Sequence, residues 1–237
     1  MFATIRMVFV FVTLGFLAGV FGIPYSLAAG NVRVLYRVVM GILRAGIGAA
    51  GIRVEVVGRE LAPAGVSCIF LANHVSNLDP PVIFPALPGQ SSVLLKKSLM
   101  KIPLLGTAMK MGKFVPVDRG NRREAAVASV AAAAEALKAG LHMLVFVEGT
   151  RSRDGRLAAF KRGPFYLAME TGAPIVPVLI TGTEKMMRKH SAAITPGVAR
   201  VEFLEAMWPK GFATREELME AVRARMVEAL PEEMRPV

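Results

Sequence analysis

The chain has 237 residues, enough for one domain of ordinary size plus an appendage. Its 54% hydrophobic content and mean hydropathy of +0.48 are high for a chain that sits wholly in water, and the excess is concentrated at the N-terminus. A net charge of +11 favours anionic partners, but three tyrosines, one tryptophan and the lack of a zinc spacing or an uninterrupted basic run argue against nucleic acid, and a single cysteine, Cys68, excludes an intrachain disulfide.

From Met7 to Gly30 no side chain is charged, a run long enough to cross a bilayer core, with Arg6 before it and Arg33 after it. A cleaved signal peptide is one reading, with Ser26-Leu27-Ala28 near its cleavage point. An uncleaved single span and a shallow hairpin are the others. Pro24 and the glycines at 15, 19, 22 and 30 predict an interruption of the helix. Arg33, Arg37 and Arg44 then share one face of a second helix, a basic amphipathic segment of the kind that lies on an anionic membrane surface. Positive charge on both sides of the apolar run fits a hairpin with both ends in the cytoplasm, and an uncleaved anchor over residues 1–50 is favoured over a signal peptide. Hairpin and single span stay open.

Residues 51–237 read as a second unit in which short β-branched runs alternate with helical stretches. Arg53–Val57, Val66–Asn73, Ser92–Lys96, Lys113–Val117, Leu141–Val147, Pro174–Ile180 and Arg200–Leu204 are predicted strands, several of them continuously apolar as in strands covered on both faces. Helices are predicted over Arg122–Lys138, with Asn121 as N-cap and Gly140 past the end, over Pro164–Glu170, and over Arg215–Leu230, where Thr214 and Glu217 have capping-box spacing. The alternation predicts an α/β fold, a central mostly parallel or mixed sheet flanked by helices, with active residues on the loops that leave strand ends.

Four such loops or strand ends carry chemistry. In Asn73-His74-Val75-Ser76-Asn77-Leu78-Asp79-Pro80-Pro81, His74 leaves an apolar strand and Asp79 stands before two prolines that favour a helix start. A turn that folds Asp79 onto the imidazole would keep one ring nitrogen protonated and free the other to deprotonate a hydroxyl. The alternative is that Asp79 merely caps a helix and His74 is a satisfied turn residue. Glu148, Gly149, Thr150 and Arg151 follow a second buried strand and offer a guanidinium, a hydroxyl and free amides, which suit a phosphate; a charged surface turn is the plainer reading. Arg119 closes Gly112–Arg119 and reaches a second anionic oxygen, unless it is an ordinary strand-end arginine. Pro177, in Val176-Pro177-Val178, predicts an edge or an irregularity. Cys68 reads as a small buried hydrophobe. His142 and His190 lack metal-ligand spacing and read as structural, so no metal is expected.

These four stretches in this order resemble the glycerolipid acyltransferase family, whose best-known members are the lysophosphatidic acid acyltransferases. The His-x4-Asp block falls on His74 and Asp79, the Gly…Phe-x-Pro-x-x-Arg block on Gly112–Arg119, and the Phe-Pro-Glu-Gly-Thr-Arg-Ser block on Phe146–Ser152, with Val147 where proline is usual. The Val-Pro-Val block falls on Val176–Val178, and the likeness spans roughly residues 53–205. The resemblance implies the family's α/β fold. It implies an enzyme that moves a fatty acyl chain from coenzyme A or acyl carrier protein to the sn-2 hydroxyl of lysophosphatidic acid, giving phosphatidic acid. It makes His74 the base and Asp79 its orienting partner. Arg119, Glu148, Gly149, Thr150 and Arg151 then position the acceptor and its phosphate, Lys161 adds a further contact, and Glu148 orients an arginine or a glycerol hydroxyl. The thioester carrier is a co-substrate and no cofactor is expected. The expected location is the inner, cytoplasmic membrane with the catalytic domain facing the cytoplasm. Another lysolipid acceptor such as a lyso-aminolipid, thioester hydrolysis, and a non-enzymatic basic membrane-binding module are the alternatives.

Overall fold

The computed structural model describes residues 1–117, 123–187 and 191–236. The seven predicted strands all form, as β1 (Ile52–Val57), β2 (Ile69–Ala72), β3 (Ser91–Lys96), β4 (Val115–Val117), β5 (His142–Phe146), β6 (Ile175–Thr181) and β7 (Gly197–Phe203). They make one sheet in the order β1-β7-β6-β2-β5-β3-β4. The run from β6 to β4 is parallel throughout; β7 lies antiparallel to β6 and carries β1 parallel to itself, so the sheet is mixed at one side.

Alternation along the central strands builds a core on each face. On β2, Ile69 and Leu71 enter one cluster, together with Met143, Val145, Ile175 and Leu179. Phe70 and Ala72 enter the other, with Leu144, Val176, Val178 and Ile180. A side chain as completely buried as Phe70 contributes about 1.5–3 kcal/mol of hydrophobic stabilisation. Pro177 sits in β6 between two partners, and the irregularity it forecasts is there. The β6–β7 register slips by one residue between the Val178–Phe203 pair and the Ile175–Met207 bridge, a bulge opposite the nitrogen that has no hydrogen to give.

The helices are α1 (Phe2–Leu17), α2 (Ile23–Ala28), α3 (Arg33–Ala49), α4 (Asp79–Ile83), α5 (Leu105–Met111), α6 (Arg123–Lys138), α7 (Gly163–Thr171), α8 (Thr183–Met186) and α9 (Arg215–Ala229). Thr214 caps α9 by accepting from the Glu217 amide at 3.2 Å. The cap expected at Asn121 lies outside the described residues.

The interruption expected at Pro24 does not occur. A π-helical stretch, Ala18–Gly22, joins α1 to α2, so Phe2–Ala28 is one 27-residue apolar helix, long and apolar enough to cross a membrane. The wider turn accommodates the carbonyl that proline leaves without a donor. α3 folds back along it, with Phe11 against Gly46 and Leu35 against Gly22, where a Cβ would collide. The pair is docked on the sheet. Ala3, Met7, Met40 and Ile47 enter the same cluster as Phe70, and Thr4 Oγ1 donates to Ala192 O and accepts from Ile194 N, both at 2.9 Å. Arg33, Arg37 and Arg44 are exposed on α3 as expected, and Arg44 also donates to Pro85 O at 2.9 Å.

Candidate active site

The order β6-β2-β5 brings three loops to one sheet edge, since parallel neighbours end side by side. His74 leaves β2, Glu148 leaves β5 and Thr183 leaves β6. Asn73 closes the end of β2 onto β6 by using its amide as a backbone substitute, donating to Ile180 O at 2.9 Å and accepting from Ile180 N at 2.7 Å.

Asp79 opens α4 and is fully buried. Its Oδ2 lies 2.7 Å from His74 Nδ1 and accepts the amides of Val75 at 2.7 Å and Ser76 at 2.8 Å. Its Oδ1 accepts the Thr183 hydroxyl at 2.6 Å. The carboxylate thus closes the turn before α4 and partners the imidazole; it does not cap the helix as the plainer reading had it, because the amides it accepts lie ahead of α4. Because Oδ2 accepts, Nδ1 carries its hydrogen toward Asp79 and Nε2 is left as the acceptor. Nε2 has no hydrogen-bond partner among the described residues. The ring stacks on Phe146, centroids 4.1 Å apart, and its side chain keeps 13% of its surface exposed, enough for a substrate hydroxyl to reach.

The loop after β5 fixes the histidine's main chain. Glu148 Oε2 accepts the His74 amide at 2.7 Å, Glu148 Oε1 accepts the Ala158 amide at 2.7 Å, and Ser152 N donates to His74 O at 2.7 Å. The Glu148 carboxylate is buried and each oxygen accepts a backbone amide, so it holds the histidine loop. Burial pushes its carboxyl above the ordinary carboxylate range, against the pull of those two amides. Val147, where the resembled family has proline, donates from its amide to Ala72 O at 3.0 Å, a bond proline lacks the hydrogen to make.

Gly149 has φ +73°, and a Cβ there would meet the Lys161 side chain at 3.2 Å, so the lysine stem lies across the glycine. Thr150 is exposed and Arg151 half-buried, and Arg151 has no ion pair among the described residues. Arg119 lies outside the described residues. Gly149, Thr150, Arg151 and Lys161 therefore share the edge that holds His74.

Sequence reasoning missed Thr183 and Asn73 as members of the site. Thr183 is 104 residues from Asp79, and nothing local marks it except Gly182 before it, whose φ of +90° and contact with the Val198 carbonyl exclude a side chain. Asn73 had a signal, an amide at the end of a run that is otherwise apolar. His142 is structural as expected. Its Nδ1 accepts the Cys68 amide at 3.0 Å at the opposite sheet edge, and burial lowers its pKa. Cys68 is fully buried with its thiol pushed up to about 11, which keeps it protonated and inert. Among the described residues no group of histidine, cysteine, aspartate and glutamate is arranged to hold a metal.

A carboxylate-backed imidazole with a free nitrogen, set at the strand ends of an α/β sheet, has the geometry of a general base able to accept a proton from a hydroxyl. The acyltransferase family model matches residues 53–181, and the chain belongs to that family. Its curated relatives include a 1-acyl-sn-glycerol-3-phosphate acyltransferase of Cocos nucifera, 30% identical over 90% of this chain and 68% of the relative. They also include the alpha form of Homo sapiens, 30% identical over 68% of this chain and 57% of the relative. The chloroplastic BAT2 protein of Brassica napus is 38% identical over 60% of this chain, and this chain spans only 41% of its length. Among solved structures, the 1-acyl-sn-glycerophosphate acyltransferase PlsC of Thermotoga maritima superposes with a TM-score of 0.81 at 28% identity, covering 97% of this chain and 96% of that one.

Proposed function

We propose that this acyltransferase moves a fatty acyl chain from a thioester carrier, coenzyme A or acyl carrier protein, to the sn-2 hydroxyl of lysophosphatidic acid, giving phosphatidic acid for phospholipid synthesis. The observation that carries the chemistry is the 2.7 Å contact between His74 Nδ1 and a buried Asp79, which leaves Nε2 free. The names of the relatives support the acceptor.

In this mechanism His74 Nε2 takes the hydroxyl proton as the oxygen attacks the thioester carbonyl. The tetrahedral intermediate collapses, the C–S bond breaks, and the imidazolium returns the proton to the leaving thiolate. Asp79 stabilises the transient imidazolium. Because the lipid hydroxyl is itself the nucleophile, no acyl-enzyme is needed. Arg151, Arg119 and Lys161 supply positive charge for the acceptor phosphate, with Gly149 and Thr150 shaping the approach.

Residues 1–50 serve as the membrane anchor and residues 51–237 carry the catalysis. The anchor reads as a shallow hairpin, because Thr4 near one end of the apolar helix and Gly19 farther along both touch the catalytic domain. A span would have to carry them apart through the bilayer. The surface so bound is the cytoplasmic face of the inner membrane, where anionic lipid meets the basic α3.

The test is transfer of labelled acyl chain to lysophosphatidic acid by membranes holding the wild type or His74→Ala at equal protein level. Label in phosphatidic acid with the wild type alone supports acceptor and base together. Full activity in His74→Ala overturns the mechanism, and label in a different lipid product overturns the acceptor.

A further inference from the structure

We propose that residues 97–105, which follow β3, form a second membrane contact that presses the active-site edge onto an anionic bilayer. The proposal rests on the reading that this chain works at a lipid surface.

The segment leaves β3 at the sheet edge where His74 leaves β2 and Glu148 leaves β5, because β3 runs parallel to β5 and β5 to β2. It is a short 3-10 helix, Lys97–Lys101, followed by a sharp turn into α5. Three large apolar side chains on it face outward, Leu99 at 38%, Ile102 at 45% and Leu105 at 43% exposure. Exposed lysines alternate with them, Lys97 and Lys101, and neither is ion-paired among the described residues. From Pro80 to Val117 the chain has five lysines and no acidic residue. Apolar groups between unpaired cations are the chemistry that meets anionic headgroups and the acyl boundary beneath them. An acidic protein partner would match the lysines but leave the leucines and isoleucine unexplained.

The segment is also joined to the apolar hairpin. Leu104 has φ +61° and ψ −55°, and Leu105 N donates to Pro103 O at 2.6 Å, a strained γ-turn. That turn seats Leu104 on Gly19 in the π-helical stretch, where a Cβ would lie 2.9 Å from Leu104 Cδ1. Outward-facing Phe16 and Phe21 of the hairpin lie on either side of Gly19 in sequence. The strain is thus coupled to a contact that makes the hairpin and the loop one continuous apolar surface with a lysine rim, beside the catalytic base. A lysolipid headgroup in the bilayer then meets the site without leaving the membrane.

The test places one tryptophan at a time in the full chain carrying Trp208→Phe, as Ile102→Trp, Leu105→Trp or, on the hairpin, Phe9→Trp. Each is bound to vesicles of phosphatidylcholine with phosphatidylglycerol and probed with brominated acyl chains. Quenching at Ile102→Trp or Leu105→Trp supports the second contact. Quenching at Phe9→Trp alone overturns it while the hairpin anchor stands. Quenching at none of the three overturns both, and quenching in the loop alone overturns only the anchor. Independently, Lys97→Gln with Lys101→Gln should weaken partitioning onto anionic vesicles about thirtyfold, with no change on neutral ones. Equal loss on both lipids would refute the charge contribution.

Discussion

Asp79→Asn separates the charge of the dyad from its geometry. The side chains are isosteric. The amide oxygen can take the place of Oδ2, where the His74 ring and the amides of Val75 and Ser76 converge, and its NH2 then faces Thr183, whose hydroxyl turns to accept. The turn and the imidazole tautomer survive, and what is lost is the negative charge beside the imidazolium. With Nδ1 and Oδ2 at 2.7 Å, the charge centres lie about 4 Å apart, and at an effective dielectric near 20 their attraction is about 4 kcal/mol. All of it is gained only when His74 takes the proton, so the expected loss is about a thousandfold in kcat, with KM for the lysolipid little changed. Initial-rate kinetics on mixed lipid vesicles read both constants, and a thermal melt confirms that the fold is retained. A loss smaller than tenfold with an unaltered melt would mean that Asp79 only holds the turn before α4 and contributes no electrostatic help to His74.

Three other expectations follow from the same contacts. Glu148→Gln places an NH2 against the amide of either His74 or Ala158 and leaves one buried donor unsatisfied, a cost of about 1–3 kcal/mol. A lowered melting temperature with reduced kcat fits that account, whereas a raised KM at unchanged stability would return Glu148 to the acceptor site. Thr183→Val deprives Asp79 Oδ1 of its only side-chain donor among the described residues, and kcat should drop roughly tenfold for ~1.4 kcal/mol lost. Thr183→Ser should restore most of it, and failure of that rescue would point to packing as the cause. His142 gives a pH dependence. Burial holds its pKa below the ordinary 6.5, so the unfolded chain takes up a proton that the folded chain refuses. The stability present above about pH 6.5 is therefore lost as pH falls below it, until the lowered folded value is passed. Urea titrations at pH 7.5 and 5.5 should show a smaller difference for His142→Asn, whose oxygen still accepts the Cys68 amide, and an identical difference would exclude His142 as the source.

The elements were legible from local chemistry alone. All seven strands announce themselves as apolar, β-branched runs between turn residues, Thr214 marks its own helix start, and Asp79-Pro80-Pro81 marks another. The dyad was legible too, because its two members are five residues apart and one turn suffices to join them. Pro177 signalled an irregularity without saying that it would be a bulge in an interior strand. Pro24 misled, because a π-helical turn accommodates a proline that an α-helix would not, and packing against α3 decides between them.

What tertiary structure alone decided is which loops meet. Strand order is set by the burial of two sheet faces at once, a property of the whole chain, and it places β5 and β6 on either side of β2. Only then does Thr183 reach Asp79, Glu148 reach the amide of His74, and Asn73 reach Ile180. The sequence by itself determined the His74–Asp79 pair, since residue type and short spacing carry that information. The shell that holds them comes from residues 74 to 107 positions away, and such distances close only when the sheet assembles.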